Sequence, residues 1–147
     1  MVRHMCSTHM REKGFRKERT MNYIEIQNDI IKRFKVDMCD GTKCKNDWGR
    51  THAHVRPRRV CKWIQKNSIQ STFTLFHEIG HCMTTKGWMR RAESEFYATV
   101  WAMDMFEEYG LTVPEKTLKR YQDYIDMEIQ RGIRRGGTGY GDLRLRR

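Results

Sequence analysis

The stretch TLFHEIGHCMTT, from Thr74 to Thr85, places two histidines four residues apart and a glutamate directly after the first of them. On a helix, His77 and His81 are separated by about 40° of rotation and about 6 Å of rise, so both imidazoles can reach one ion. Zinc accepts neutral imidazole nitrogens, and catalytic zinc sites use three protein ligands and keep one position open. The spacing therefore predicts a metal site on a helix, with Zn²⁺ as the ion.

Glu78 points to an adjacent side of the same helix, where it would not compete with the histidines as a ligand. A carboxylate in that position can accept the proton of a water that zinc has acidified, while the ion polarises a carbonyl group. This chemistry hydrolyses a peptide bond, so we predict that Glu78 is a general base. The alternative is an amphipathic helix that carries a surface pair of histidines beside a solvated glutamate.

A catalytic site needs a third ligand, and the following segment RRAESEFYATVWAMDM offers two acids. Glu93 and Glu95 are about 200° apart on a helix, so at most one of them faces the metal. Glu93 shares its side with the bulkier apolar residues, which are Phe96, Tyr97 and Val100. Glu95 shares its side with the smaller residues Ala98, Thr99 and Ala102. We expect the bulkier face to point inward, which makes Glu93 the predicted third ligand. A turn at TKGWM would bring it beside His81.

The chain pattern predicts four helices around this motif. Apolar residues at three- and four-residue steps indicate a first helix from about Thr20 to Phe34, and polar capping candidates at Asn67, Ser68 and Ser71 precede the motif helix. A third helix is expected from about Arg90 to Tyr109, with Gly110 as its C-terminal stop. A fourth begins near Pro114, which suits a first-turn position. The motif glycine, Gly80, lowers helix propensity by nearly 1 kcal/mol relative to alanine, which suggests a close approach of another element.

A small sheet is predicted between the first helix and the motif helix. Asp40-Gly41 lies between short alternating runs and indicates a hairpin turn. The later stretch RTHAHVRPRRVCKWI alternates near Val60 and Trp63 and is typical of a strand, while Pro57 favours an edge position. We therefore expect a small antiparallel sheet beside the helices.

Composition indicates the class of protein, its cellular location and its domain boundaries. The 147 residues are 38% hydrophobic and 32% charged, which suits one soluble globular domain, and no apolar run is long enough to cross a bilayer. The five cysteines are scattered and the N-terminus lacks the apolar stretch of a signal peptide, so we expect free thiols and a cytoplasmic location. The predicted organisation is a basic tail over 1–19, a domain over 20–132, and a basic Gly/Arg-rich tail over 133–147 that is disordered.

HEIGH followed after a short turn by ESEFYA resembles the ImmA/IrrE family of zinc metallopeptidases. The resemblance covers roughly Arg58 to Tyr109 and implies an α+β fold: a small zincin-like metallopeptidase domain, mostly helical, with the motif on an active-site helix. It implies that His77, His81 and Glu93 bind the metal and that Glu78 is the base. It also implies an endopeptidase whose protein or peptide substrate is a regulatory protein, such as a DNA-binding repressor of a phage or mobile element.

Two other interpretations remain open at this stage. Cys39, Cys44, His52 and His54 form a C-x4-C-x7-H-x-H pattern that would suit a structural zinc site, since the two histidines share one face of a strand. The second interpretation is a basic nucleic-acid-binding protein with a structural or vestigial zinc site. It is based on the formal net charge of +11. In either case, weak nucleic-acid contact would come mainly from the basic tails.

Overall fold

The computed structural model describes residues 22–40 and 50–146 and shows an α+β arrangement that is mostly helical. Its helices are α1 (Tyr23–Arg33), α2 (Ile69–Thr84), α3 (Arg91–Glu108) and α4 (Glu115–Arg134). Its strands are β1 (Asp37–Cys39), β2 (His52–His54) and β3 (Arg59–Cys61). All four predicted helices are thus present within the described ranges.

The ends of the helices follow the local sequence signals. The side chain of Ser68 accepts a hydrogen bond from the amide of Ser71 at 3.1 Å and so caps the motif helix α2. Gly110 adopts a φ of 75° just after α3, a conformation that glycine reaches without steric cost. Pro114 is the residue before α4, so that helix begins one position later than the sequence suggested.

The sheet is mixed, which corrects the antiparallel sheet expected from the sequence. The strand order is β1-β3-β2, with β1 parallel to β3 and β2 antiparallel to β3. The antiparallel strands β2 and β3 are joined by a short turn over residues 55–58, which contains Pro57. The hairpin predicted at Asp40-Gly41 falls largely on residues 41–49, outside the described part of the chain.

The core lies between the helices and one face of this sheet. Phe73 and Phe76 of α2 are fully buried and meet Phe106 of α3 edge to face, with ring centroids 5.0 and 5.2 Å apart. Ile26 and Ile30 of α1 are also fully buried in the same cluster. Each such side chain contributes about 1.5–3 kcal/mol through burial, so the phenylalanines hold α2 firmly against α3.

The C-terminal segment packs on the helices, although the sequence predicts a disordered tail over 133–147. Leu143 is buried, and its carbonyl accepts a hydrogen bond from Nε2 of Gln122 at 3.1 Å. The guanidinium of Arg90 lies 3.7 Å from the centroid of the Tyr140 ring. Helix α4 itself continues to Arg134, so the folded unit extends beyond the predicted boundary at residue 132.

Candidate metal centre

Helix α2 presents both motif histidines to one side. His77 is buried, His81 is half-buried, and their ring centroids lie 4.7 Å apart. This agrees with the one-turn spacing that made the pair a candidate metal site. The two rings therefore lie next to each other on one face of α2.

The acid that meets them is Glu95 of α3. Its Oε1 lies 3.0 Å from Nε2 of His77, and its Oε2 lies 3.0 Å from Nε2 of His81. One potential ligand atom from each of these three residues falls within 4.8 Å of the others. Two imidazoles and a carboxylate form the donor set of a three-ligand zinc site, so these residues fit the ion that the motif implies.

The predicted ligand Glu93 has a different role in the structure. Its Oε1 accepts hydrogen bonds from the backbone amide of Arg90 at 2.9 Å and from Nε of Arg90 at 3.0 Å. These contacts cap the first turn of α3. The hydrogen bond and charge of Arg90 lower the pKa of Glu93. The assignment of the third position is therefore corrected from Glu93 to Glu95.

The reason lies in how α3 packs on α2. The small residues Ala98, Thr99 and Ala102 are fully buried, whereas Tyr97 on the bulkier side is 40% exposed. A Cβ added to Gly80 would lie only 2.5 Å from the carbonyl oxygen of Ala98, so the two backbones touch at this point. Glycine at position 80 allows this close approach, which turns the small-residue face of α3, and Glu95 with it, toward the histidines.

Hydroxyl groups of α3 orient both histidines. Oγ1 of Thr99 lies 3.1 Å from Nδ1 of His77 and donates its own proton to the carbonyl oxygen of Glu95 at 2.7 Å. Oγ of Ser94 lies 3.1 Å from Nδ1 of His81. Partners of this kind set the tautomer and ring orientation of metal-binding histidines. Both Nε2 atoms are thereby directed at the carboxylate.

The hydrogen-bond pattern at His77 shows how its two ring nitrogens are used. Because the hydroxyl proton of Thr99 goes to the backbone carbonyl, its oxygen is left to accept a hydrogen from Nδ1 of His77. In the neutral ring, Nε2 then carries a lone pair that faces the Glu95 carboxylate at 3.0 Å. Two electron-rich atoms at this distance repel each other unless Nε2 is protonated and donates a hydrogen bond, or both atoms bind a metal ion. A metal ion bound by both would satisfy the arrangement.

Burial and neighbouring charges shift the pKa values in this cluster. Burial raises the pKa of Glu95, but hydrogen bonds from His77 and His81 outweigh it and hold that pKa far below its usual range. Burial lowers the pKa of His77. Burial also acts to lower the pKa of His81, but the hydrogen bond to Glu95 raises it overall. Glu95 is therefore an anion at neutral pH, as a carboxylate ligand must be.

Glu78 lies beside this cluster and lines the same cavity. Its environment is apolar enough that burial raises its pKa to about 7. A carboxylate whose pKa lies near the working pH is suited to accept and release a proton. Glu78, the predicted base, therefore lies in the same cavity lining as both histidines.

A cavity of about 700 Å³ opens in front of the cluster, within the size range of ligand sites. Its lining includes residues of strand β2 and its flanks and residues of the first half of α4. Basic and aromatic side chains form much of the lining, namely Arg50, Arg91, Arg120, Tyr121 and Tyr124. The Tyr121 ring lies 4.6 Å from that of His77, and Nη2 of Arg91 donates to the hydroxyl of Tyr124 at 3.2 Å.

Sequence reasoning did not single out these lining residues as functional. Among them, Tyr121 packs against His77, and burial raises its pKa to about 12. Thr99 was placed on the small face of α3 without a role. The one usable signal was its spacing, because a residue four positions after Glu95 lies on the same helix face and can reach the same histidine.

The structure brings together only some residues of the predicted cysteine-histidine site. His52, His54 and Cys61 each offer one potential ligand atom within 4.8 Å of the others. Cys39 lies on β1 in register with Cys61. Cys44 belongs to the segment outside the described residues, so its predicted place in this site is not described.

Comparison of the chain with protein-family models, with curated proteins and with solved structures finds no match. In the described part of the chain, the helices are all too short or too polar to cross a bilayer. The geometry of the site itself is therefore the basis for a functional assignment.

Proposed function

We propose that this protein is a zinc-dependent endopeptidase in which His77, His81 and Glu95 bind the metal and Glu78 is the general base. The observation that carries the proposal is the convergence of both histidine Nε2 atoms on the Glu95 carboxylate at 3.0 Å. This cluster lies at the wall of an open cavity that Glu78 also lines. Zinc at such a site supplies Lewis-acid chemistry, polarising a carbonyl oxygen and acidifying water.

The protein residues supply proton transfer and orientation. The carboxylate of Glu78 accepts the proton of the attacking water and returns it to the nitrogen of the leaving amine. Thr99 and Ser94 hold the two imidazoles in fixed orientations through their Nδ1 atoms. The Tyr121 ring packs against His77 and restricts water on that side.

Strand β2 offers a surface for an extended peptide. Among the described strands it pairs with β3 alone and so lies at the edge of the sheet, and its residues line the cavity. An extended substrate can add to such an edge through main-chain hydrogen bonds. This placement would set a peptide bond beside Glu78. The resemblance to ImmA/IrrE peptidases suggests that the substrate is a regulatory protein, such as a phage or mobile-element repressor.

The test is cleavage of a proteome-derived peptide library by the zinc-loaded protein, with products identified by mass spectrometry. Glu78→Gln is the matched control, because it preserves side-chain size and zinc binding but cannot accept the proton. We expect cleavage by the wild type and a rate lower by about 10²–10⁴-fold in the variant. Equal cleavage by both proteins, or no cleavage by either, would contradict the proposal.

A second candidate function rests on charge. The formal net charge of +11 favours a nucleic-acid-binding protein in which the metal is structural. Several basic residues near the C-terminus already pair with acids, including Arg131 with Glu128 and Arg144 with Asp126. Salt-dependent binding of duplex DNA without any peptidase activity would favour this alternative.

A further inference from the structure

A second group of metal-binding side chains lies on the sheet. His52 and His54 are alternate residues of β2, so their side chains share one face, and their ring centroids are 5.1 Å apart. Cys61 of β3 is the register partner of His52, which places its thiol on that face as well. Potential ligand atoms of all three lie within 4.8 Å of one another. The group is separate from the His77, His81 and Glu95 cluster.

The orientation of His52 suits a metal ligand. Its Nδ1 lies 2.8 Å from the carbonyl oxygen of Arg50. A carbonyl oxygen can only accept, so Nδ1 carries the hydrogen and donates it. In the neutral ring, the lone pair is then on Nε2. Metal-binding histidines commonly have this arrangement, in which a backbone carbonyl holds one nitrogen and the metal takes the other.

The cysteines of the sheet supply sulfur donors to the same face. Cys61 is fully buried. Cys39 is also buried, and it is the register partner of Cys61 on the parallel strand β1. Register partners on adjacent strands point to the same face, so Cys39, Cys61 and His52 form a row across all three strands. Both thiols are free of disulfides. Structural zinc sites use cysteine sulfur and histidine nitrogen, and Cys61 is the thiol that lies within 4.8 Å of both histidines.

We propose that His52, His54 and Cys61 bind a second zinc ion that has a structural role. Each strand of this sheet is only three residues long, so few hydrogen bonds join β2 to β3. One ion would connect these two strands through their side chains. It would also fix β2, whose outer edge borders the catalytic cavity.

Metal analysis of the full-length protein, purified without a histidine tag, tests this site. We expect two zinc ions per chain in the wild type and one in the His77→Ala/His81→Ala double variant. Cys61→Ser should also contain one, held by the other cluster, and that retained ion shows that the helical core is folded. Two zinc ions in Cys61→Ser, or none in the double variant, would overturn the proposal.

Cobalt substitution identifies the ligands independently of activity. A thiolate ligand gives cobalt(II) an intense charge-transfer absorption, whereas the His77, His81 and Glu95 set contains no sulfur. The absorption should appear in the cobalt-loaded His77→Ala/His81→Ala variant and disappear when Cys61→Ser is added to it. Cys82→Ser is the matched control, because Cys82 is also buried but its thiol contacts the carbonyl of Arg59. Loss in Cys82→Ser, or full absorption in Cys61→Ser, would contradict the assignment.

Discussion

Thr99 holds His77 through a hydrogen bond of 3.1 Å between Oγ1 and Nδ1, and both side chains are buried. This contact joins the helix that carries the motif to the helix that carries the third acid. It selects the tautomer in which Nε2 of His77 can bind an ion. In the proposed site, the hydroxyl would therefore act on the ion through the histidine rather than by touching it.

Thr99→Val tests this role, since valine keeps the shape of the side chain and removes the hydroxyl. We expect zinc affinity to fall by about 10–100-fold, because the His77 ring loses its orienting partner. Affinity is measured by competition with a chelator. Thr84→Val is the control, because Thr84 donates to the carbonyl of Gly80 in the motif helix without touching a histidine. Equal affinity in both variants would show that Thr99 does not position His77.

Gly80→Ala should destabilise the protein. The new Cβ would lie 2.5 Å from a backbone carbonyl, which cannot move aside as a side chain would. Overpacking of this kind costs about 1–3 kcal/mol, which exceeds the gain of up to about 1 kcal/mol in helix propensity. Urea unfolding measures the free energy of unfolding, and zinc affinity should fall as α3 is displaced.

Gly87→Ala is the matched control, because an added Cβ at Gly87 meets nothing within 4 Å. We expect its unfolding midpoint and zinc affinity to stay close to those of the wild type. A Gly80→Ala protein that is more stable than the wild type would contradict the close contact between α2 and α3.

The arginines that line the cavity predict a preference for acidic peptides. Arg50, Arg91 and Arg120 border the site, and Nε of Arg91 lies 3.5 Å from Oε2 of Glu95. Arg120→Ala should lower kcat/KM for peptides with Asp or Glu near the cleaved bond by about fivefold, as expected for an exposed charge pair worth about 1 kcal/mol. Added salt should shrink the difference.

Lys119→Ala provides the comparison for that prediction, because Lys119 is the neighbouring basic residue and is not part of the cavity lining. Its Nζ lies 3.0 Å from Oδ2 of Asp123. It should leave the preference unchanged. A uniform loss of kcat/KM for acidic and neutral peptides in Arg120→Ala would point to a structural effect of this residue instead.

The helices could be predicted because their signals are local. Capping by Ser68, the stop at Gly110 and the apolar stripes lie within the segments themselves, and the observed ends agree within a few residues. The sheet could not be predicted as well, since strands of three residues carry little pattern. The parallel pairing of β1 with β3 joins residues about twenty positions apart, and it produces no recognisable sequence pattern in either strand.

The third ligand position shows how packing can override a sequence pattern. We expected the bulkier face of α3 to point inward, which favoured Glu93. The contact of Gly80 with Ala98 instead selects the small-residue face, because only small side chains allow the helices to approach so closely. Gly80 was recognised as a site of close approach, but the sequence did not show which face of the next helix would meet it.

The zinc content of Glu95→Gln and Glu93→Gln, measured side by side by mass spectrometry, tests the central claim most directly. Both changes remove one negative charge and preserve side-chain size, and glutamine at position 93 can still cap the helix. We predict that Glu95→Gln loses one zinc ion relative to the wild type and that Glu93→Gln retains the wild-type content. Retention of all zinc in Glu95→Gln with loss of one ion in Glu93→Gln would contradict the assignment of His77, His81 and Glu95 as the metal ligands.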